Sequence, residues 1–121
     1  MYELMVESGF AAAHSLREYD GKCENLHGHN WRVQVVLAAE GIDKLGMVMD
    51  FRDVKGLVTE ALDRFDHHHL NELEEFKEQN PTTENIARVL HEKLAERMPK
   101  GVTLGKVTVW ESEKCGASYC P

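Results

Sequence analysis

The stretch Trp31-Arg32-Val33-Gln34-Val35-Val36-Leu37 constrains the fold more than any other. Its apolar residues recur at alternate positions, so Trp31, Val33, Val35 and Leu37 share one face of a strand. A half-buried strand needs neighbouring strands and a covering layer. Residues 2 to about 14 alternate more weakly and supply a preceding strand that runs toward His14. A loop with the turn signal Asp20-Gly21 joins the two.

The apolar period then becomes helical. Phe51, Val54, Leu57, Val58, Ala61, Leu62 and Phe65 form one stripe, with Asp50 as N-cap and Asp53 near the positive end of the helix dipole. Met47-Val48-Met49 is expected to be a short extended piece before it. A polar loop over 66–80 ends at Pro81. Thr82 or Thr83 caps a second helix with the stripe Ile86, Val89, Leu90, Leu94 and Met98, stopped by Pro99 and Gly101. The last segment, Val102 to about Glu111, is one strand, or two if it divides near Gly105. Strands first and helices in a block predict an α+β fold, an antiparallel sheet with both helices on one face.

A chain of 121 residues fits one domain over 1–121, without a second core. Its formal net charge of −7 speaks against a broad nucleic-acid surface, though a small basic pocket stays possible. No apolar run reaches membrane-spanning length, and the N-terminus lacks the basic and apolar regions of a signal peptide. Three cysteines make an odd count without a disulfide pattern. A reduced, cytoplasmic protein is the expectation.

Six of the seven histidines lie before residue 70. In His27-Gly28-His29 the two imidazoles, two residues apart on an extended backbone, point to one face. Zinc takes neutral imidazole nitrogens, and a catalytic zinc site usually has three protein ligands and one open position. His14, on the preceding strand and after the small residues Ala11-Ala12-Ala13, is well placed as the third. Gly28 removes a side chain from the opposite face. Cys23 sits four residues before His27, and a nearby dication and imidazoles would favour its thiolate for proton abstraction. The alternative is a small buried residue, which the polar setting Gly21-Lys22-Cys23-Glu24-Asn25 argues against.

Asp66-His67-His68-His69 offers an acid–base relay in which a carboxylate fixes an imidazole. One of these histidines would act and the other two be solvated or structural. Glu111, at a strand end, could accept two parallel hydrogen bonds from the amino-pyrimidinone edge of a pterin or guanine, though position alone favours an exposed glutamate beside Glu113. Cys115 and Cys120 fit no strong metal motif and are expected to be free thiols.

Six blocks in order resemble the 6-pyruvoyltetrahydropterin synthase family over nearly the whole chain. They are Ala12-Ala13-His14; Cys23-Glu24-Asn25-Leu26-His27-Gly28-His29-Asn30; Gly46-Met47-Val48-Met49-Asp50-Phe51; Asp66-His67-His68-His69-Leu70-Asn71; Asn80-Pro81-Thr82-Thr83-Glu84-Asn85; and Trp110-Glu111. The resemblance implies the tunnelling fold, a four-stranded antiparallel sheet with two helices on one face. Such sheets join edge to edge into an oligomeric barrel, a trimer or hexamer with active sites between subunits.

By this resemblance His14, His27 and His29 bind zinc, Cys23, Asp66 and His67 form the acid–base group, and Glu111 anchors the pterin with Thr82 and Thr83. The three residues between Cys23 and His27 are similar to the bacterial carboxy-forming branch, since the animal pyruvoyl-forming branch has a longer insertion there. A side-chain-cleaving branch of folate synthesis carries glutamate in place of the cysteine, so Cys23 points away from it. The implied reaction converts 7,8-dihydroneopterin triphosphate to 6-carboxy-5,6,7,8-tetrahydropterin, releasing acetaldehyde and triphosphate, on the route to queuosine. The alternatives are pyruvoyltetrahydropterin synthesis and a non-catalytic pterin- or metal-binding module. Arg17, Lys22 and Lys114 are the candidate triphosphate contacts.

Overall fold

The computed structural model describes residues 1–21 and 24–121, so Lys22 and Cys23 lie outside the described residues. Strand β1 (Tyr2–His14) and strand β2 (His27–Ala39) form a long antiparallel pair. Helix α1 (Phe51–Asp63) follows, then the two-residue strand β3 (His68–His69), helix α2 (Thr83–Ala95), β4 (Thr103–Trp110) and β5 (Gly116–Tyr119). The sheet order is β3-β1-β2-β4-β5. The four antiparallel strands implied by the resemblance are β1, β2, β4 and β5. β3 adds a short parallel pairing to β1 at Ala12 and Ala13, which makes the sheet mixed.

The alternating pattern of β2 is realised directly. Trp31, Val33, Val35 and Leu37 are at most 2% exposed and pack with Val6 and Phe10 of β1. Helices α1 and α2 cover this face with Val54, Val58, Leu62, Ile86, Leu90 and Leu94. Asp50 caps α1 by accepting from the Arg52 N–H, and Thr82 caps α2 by accepting from the Asn85 N–H. No helix among the described residues is long and apolar enough to cross a membrane.

Four expectations change. Met47-Val48-Met49 is a bend, not a strand, and Phe51 is exposed at the start of α1. The segment 66–80 is more than a polar loop: it holds β3 and two single-turn 3-10 helices, Leu70–Glu72 and Glu74–Phe76, with Leu70 and Phe76 fully buried. Of the two readings of the last segment, a single strand undivided at Gly105 is the one observed. Gly105 is the extra residue of a bulge, since Val36 pairs with Lys106 while Leu37 pairs with Leu104. That extra residue puts Leu104 and Val107 on the same buried face, which strict alternation would forbid. The fourth antiparallel strand lies later, at Gly116–Tyr119.

One ion network ties the 3-10 segment to both helices. Arg64 donates from Nε and Nη2 to Glu75 at 2.9 and 2.7 Å, and Lys93 Nζ lies 3.0 Å from the same carboxylate. The Arg64 hydrogen bonds, aided by Lys93 and opposed by burial, hold the Glu75 carboxyl down at about 2. A carboxyl depressed on folding stabilises fully above its unfolded value and loses that contribution as pH falls toward the folded one. Glu75→Gln is therefore expected to cost on the order of 2 kcal/mol near pH 7. The gap from wild type should narrow between pH 4 and pH 2, as measured by urea unfolding.

Candidate metal and pterin site

The antiparallel register sets His14 directly opposite His27, and Ala12 opposite His29. All three imidazoles project to the helix-covered face at one end of the sheet, with ring centroids 4.7–5.1 Å apart. β4 ends one strand away and delivers Glu111 to the same place. One ligand atom from each of His14, His27, His29 and Glu111 lies within 4.8 Å of all the others, so this group could hold a metal ion.

The ring nitrogens are prepared for that role. His14 Nδ1 lies 2.8 Å from the Pro81 carbonyl and His27 Nδ1 2.8 Å from the Asn25 carbonyl. A carbonyl only accepts, so both Nδ1 atoms carry a proton, and in the neutral tautomer this leaves the lone pair on Nε2. His14 Nε2 and His29 Nε2 are buried without a hydrogen-bond partner among the described residues. Glu111 Oε1 comes within 3.4 Å of His29 Nε2 but lacks hydrogen-bond geometry. Burial pushes the His29 imidazole below its usual value; Glu111 opposes this, and His14 and His27 add to it. Neutral rings with orphaned nitrogens are the form that binds zinc or a similar cation. The residues fit the group.

A cleft of about 260 Å³ opens beside this cluster, lined by His14, Glu24, His27, Thr82, Thr83 and Glu111 among others. With the Thr82 hydroxyl occupied in capping α2, the next hydroxyl is available: Thr83 Oγ1 donates to Glu111 Oε2 at 3.1 Å. Glu111 is thus held in place rather than loosely exposed beside Glu113. Its strand end is also clamped from the other face. The Arg32 guanidinium sits 4.9 Å above the Trp110 ring. On Gly116, cross-strand from Trp110, a Cβ would come within 2.7 Å of that ring, so only glycine leaves the space. At Gly28, by contrast, an added Cβ would meet the Ala12 carbonyl at an ordinary 3.8 Å. Within one chain space does not demand that glycine.

Asp66 and His67 form a pair, Oδ1 to Nδ1 at 3.0 Å. The Ala11 N–H, bonded to Asp66 Oδ1 at 2.9 Å, and then the His67 ring hold the Asp66 carboxyl below its usual range. His67 has a φ of 58°, the left-handed region that is costly for a side-chain-bearing residue. Of the pair, His67 lines a second cleft of about 490 Å³ with Ala11, Ala13, His29 and Asn30, and its side chain is 81% exposed. The structure therefore gathers His14, His27, His29, Thr83 and Glu111 but leaves Asp66–His67 on the sheet edge.

His68 Nδ1 donates to the Asp66 carbonyl, and His69 Nδ1 lies 3.4 Å from Glu72. Arg17 spends its guanidinium on the carbonyls of Asn71 and Gln79, and no Lys or Arg lines either cleft among the described residues. Cys115 and Cys120 are exposed free thiols. Sequence reasoning missed the Pro81 and Asn25 carbonyls, because backbone acceptors leave no signature of residue type. It also passed over Glu24, which lines the cleft with its carboxylate 3.7 Å from His27 Nδ1.

Comparison with known proteins agrees with this geometry. The profile of the family "6-pyruvoyl tetrahydropterin synthase" matches residues 3–121. A protein of Archaeoglobus fulgidus, provisionally named a 6-carboxy-5,6,7,8-tetrahydropterin synthase, is 41% identical over 89% of this chain and 86% of its own length. The dihydroneopterin monophosphate aldolase of Pyrococcus furiosus is 35% identical over 93% of this chain and 92% of its own. The structure of 6-pyruvoyl tetrahydropterin synthase from Caenorhabditis elegans superposes with a TM-score of 0.88 at 34% identity, covering 99% of this chain and 95% of that one. With the shared fold, the near-complete match and the histidine cluster in hand, the chain belongs to the 6-pyruvoyl tetrahydropterin synthase family.

Proposed function

We propose that this protein is a zinc-dependent lyase converting 7,8-dihydroneopterin triphosphate to 6-carboxy-5,6,7,8-tetrahydropterin, with release of acetaldehyde and triphosphate, in queuosine biosynthesis. The supporting observation is the meeting of three imidazoles, two with orphaned Nε2 atoms, and a carboxylate already fixed by Thr83 at one sheet end. His14, His27 and His29 would hold the ion, which when bound supplies Lewis-acid polarisation of side-chain oxygens.

The chain's own residues do the rest. Glu111 accepts two parallel hydrogen bonds from the 2-amino group and ring N–H of the pterin, and Thr83 keeps its carboxylate in plane for them. Acetaldehyde carries two of the three side-chain carbons, so the bond between the first and second breaks, and one water is consumed to supply the second carboxylate oxygen as triphosphate leaves. Cys23 is the proposed base that moves protons between the side-chain carbons and oxygens, with Asp66–His67 as a second relay. Cys23→Ala is expected to retain metal and lose about 10²–10⁴ in kcat; full rate in single-turnover assays would end the proton-transfer role.

The chain is further read as a homo-oligomer, a trimer or hexamer with shared sites. Among the described residues, Tyr2–Phe10 of β1 pair with β2 but have no strand on their other side. A second copy closing on that edge would bring the exposed Asp66–His67 pair to bound substrate.

A second reading, aldol cleavage of a dihydroneopterin monophosphate, is favoured by Glu24 in the cleft and by the Pyrococcus relative's name. The cleft's Glu24, Glu84 and Glu111 also suit a ligand with fewer phosphate charges. Product analysis with zinc-loaded protein separates these readings. Acetaldehyde with a carboxypterin supports the first, a phosphorylated two-carbon aldehyde from the monophosphate the second. A pyruvoyl product without acetaldehyde would mean triphosphate elimination, and no turnover a binding module.

A further inference from the structure

β1 ends at His14, and among the described residues no strand lies beside the Ser15–Arg17 segment that follows it. Alternate residues of a strand aim both backbone groups to the same side. Ala11 meets the Asp66 carboxylate with its N–H and the His67 N–H with its carbonyl, and Ala12 and Ala13 pair with β3. Beyond β3 two side-chain amides take over. The Ser15 N–H donates to Asn71 Oδ1 at 2.9 Å, and Asn71 Nδ2 donates back to the Ser15 carbonyl at 2.7 Å. The Arg17 N–H donates to Asn80 Oδ1 at 2.8 Å, and Asn80 Nδ2 returns to the Arg17 carbonyl at 3.1 Å.

We propose that Asn71 and Asn80 are positioning residues that prolong the β1 ladder through Ser15 and Arg17 and thereby set the His14 imidazole. An amide presents one donor and one acceptor side by side, the complement of a peptide N–H and C=O; a carboxylate matches only the first. Asn80 directly precedes Pro81, whose carbonyl accepts the hydrogen bond from His14 Nδ1–H. Its own carbonyl accepts from Asn85 Nδ2 in the first turn of α2, the helix that presents Thr83 to Glu111. The Arg17 guanidinium binds the two clamps together through the carbonyls of Asn71 and Gln79.

The opposite side of the same segment is pinned as well. The Leu16 carbonyl accepts from the Glu24 N–H at 2.8 Å, and the Leu16 N–H donates to Glu24 Oε1 at 3.3 Å. Both ends of the connection from Leu16 to Glu24 are therefore fixed by the amide clamps on one side and Glu24 on the other. Loss of a group that orients a ligand imidazole typically weakens metal binding about 10–100-fold. Loop stapling alone would instead lower stability and leave the imidazole as it was.

This inference rests on His14 as a metal ligand, and the test separates the two. Asn80→Ala, Asn80→Asp and the remote core variant Val58→Ala are compared with wild type at matched loss of melting temperature. The metal-free proteins are read by ¹⁵N NMR of the His14 ring, and the zinc-loaded proteins by the rate of metal loss to a chelator. Both Asn80 variants should bring the His14 Nδ1 proton into fast exchange and release metal about 10-fold faster or more, while Val58→Ala changes neither. A wild-type His14 signal in Asn80→Ala, or an equal change in Val58→Ala, would overturn the positioning role. If wild type binds no metal, the metal reading fails, and the ring signal still decides the role of Asn80.

Discussion

Replacing His14 with alanine is expected to abolish tight metal binding and, with it, turnover. His14 is 3% exposed, faces His27 across the β1–β2 pair, and holds Nε2 buried and unpartnered among the described residues. Its loss leaves two imidazoles, and affinity should fall by more than the roughly 10–100-fold seen when only an orienting partner is removed. The fold should survive. The substitution releases the Pro81 carbonyl from one hydrogen bond, a cost of about 1–3 kcal/mol, and removes an edge contact with the Trp31 ring, 4.9 Å between centroids, at the margin of the core. Metal content after dialysis and far-ultraviolet circular dichroism, measured on the same sample, check both halves.

Glu111→Gln should show the second large effect, and a different one. An amide keeps the shape and one acceptor but loses the charge and one of the two parallel bonds to the pterin edge. A hydrogen bond to a charged group contributes about 1.5–3 kcal/mol, so kcat/KM should fall by about 10–150-fold, mostly through KM. Metal content should remain. Glu111 stands close enough to the histidines to act as a fourth ligand, and metal loss in this variant would assign it that role instead of pterin binding.

The parts of the fold legible in the sequence were those where one period dominates. Trp31 to Leu37 alternates cleanly because one face is fully buried, and the two helix stripes and their caps follow the same logic. His27 and His29 were legible because spacing two on a strand dictates a common face. The long β1 strand then puts His14 opposite His27 without any further assumption. Reading was harder where short elements depend on tertiary contacts. Leu70, Leu73 and Phe76 recur every three residues, the spacing of 3-10 turns, yet Glu72, Glu74 and Glu75 between them masked the signal.

β5 was missed because its four residues, Gly116–Tyr119, are too few to express a period. Gly105 left one strand or two open because glycine marks both turns and bulges, and only the register with β2 tells them apart. The site was legible in its side chains and hidden in its supports. The Pro81 carbonyl is a backbone group without a residue signature, and the Asn71 and Asn80 amides and the Arg32–Trp110–Gly116 stack find their partners only through the tertiary fold. The separation of Asp66–His67 from the histidine cluster is likewise a matter of which strand edge the chain returns to.

The most direct test of the histidine site is calorimetric titration of zinc into metal-free protein, wild type beside His14→Ala. The account predicts tight binding of about one ion per chain for wild type and loss of that transition in the variant. Absent binding in wild type, or an unchanged transition in His14→Ala, would contradict it.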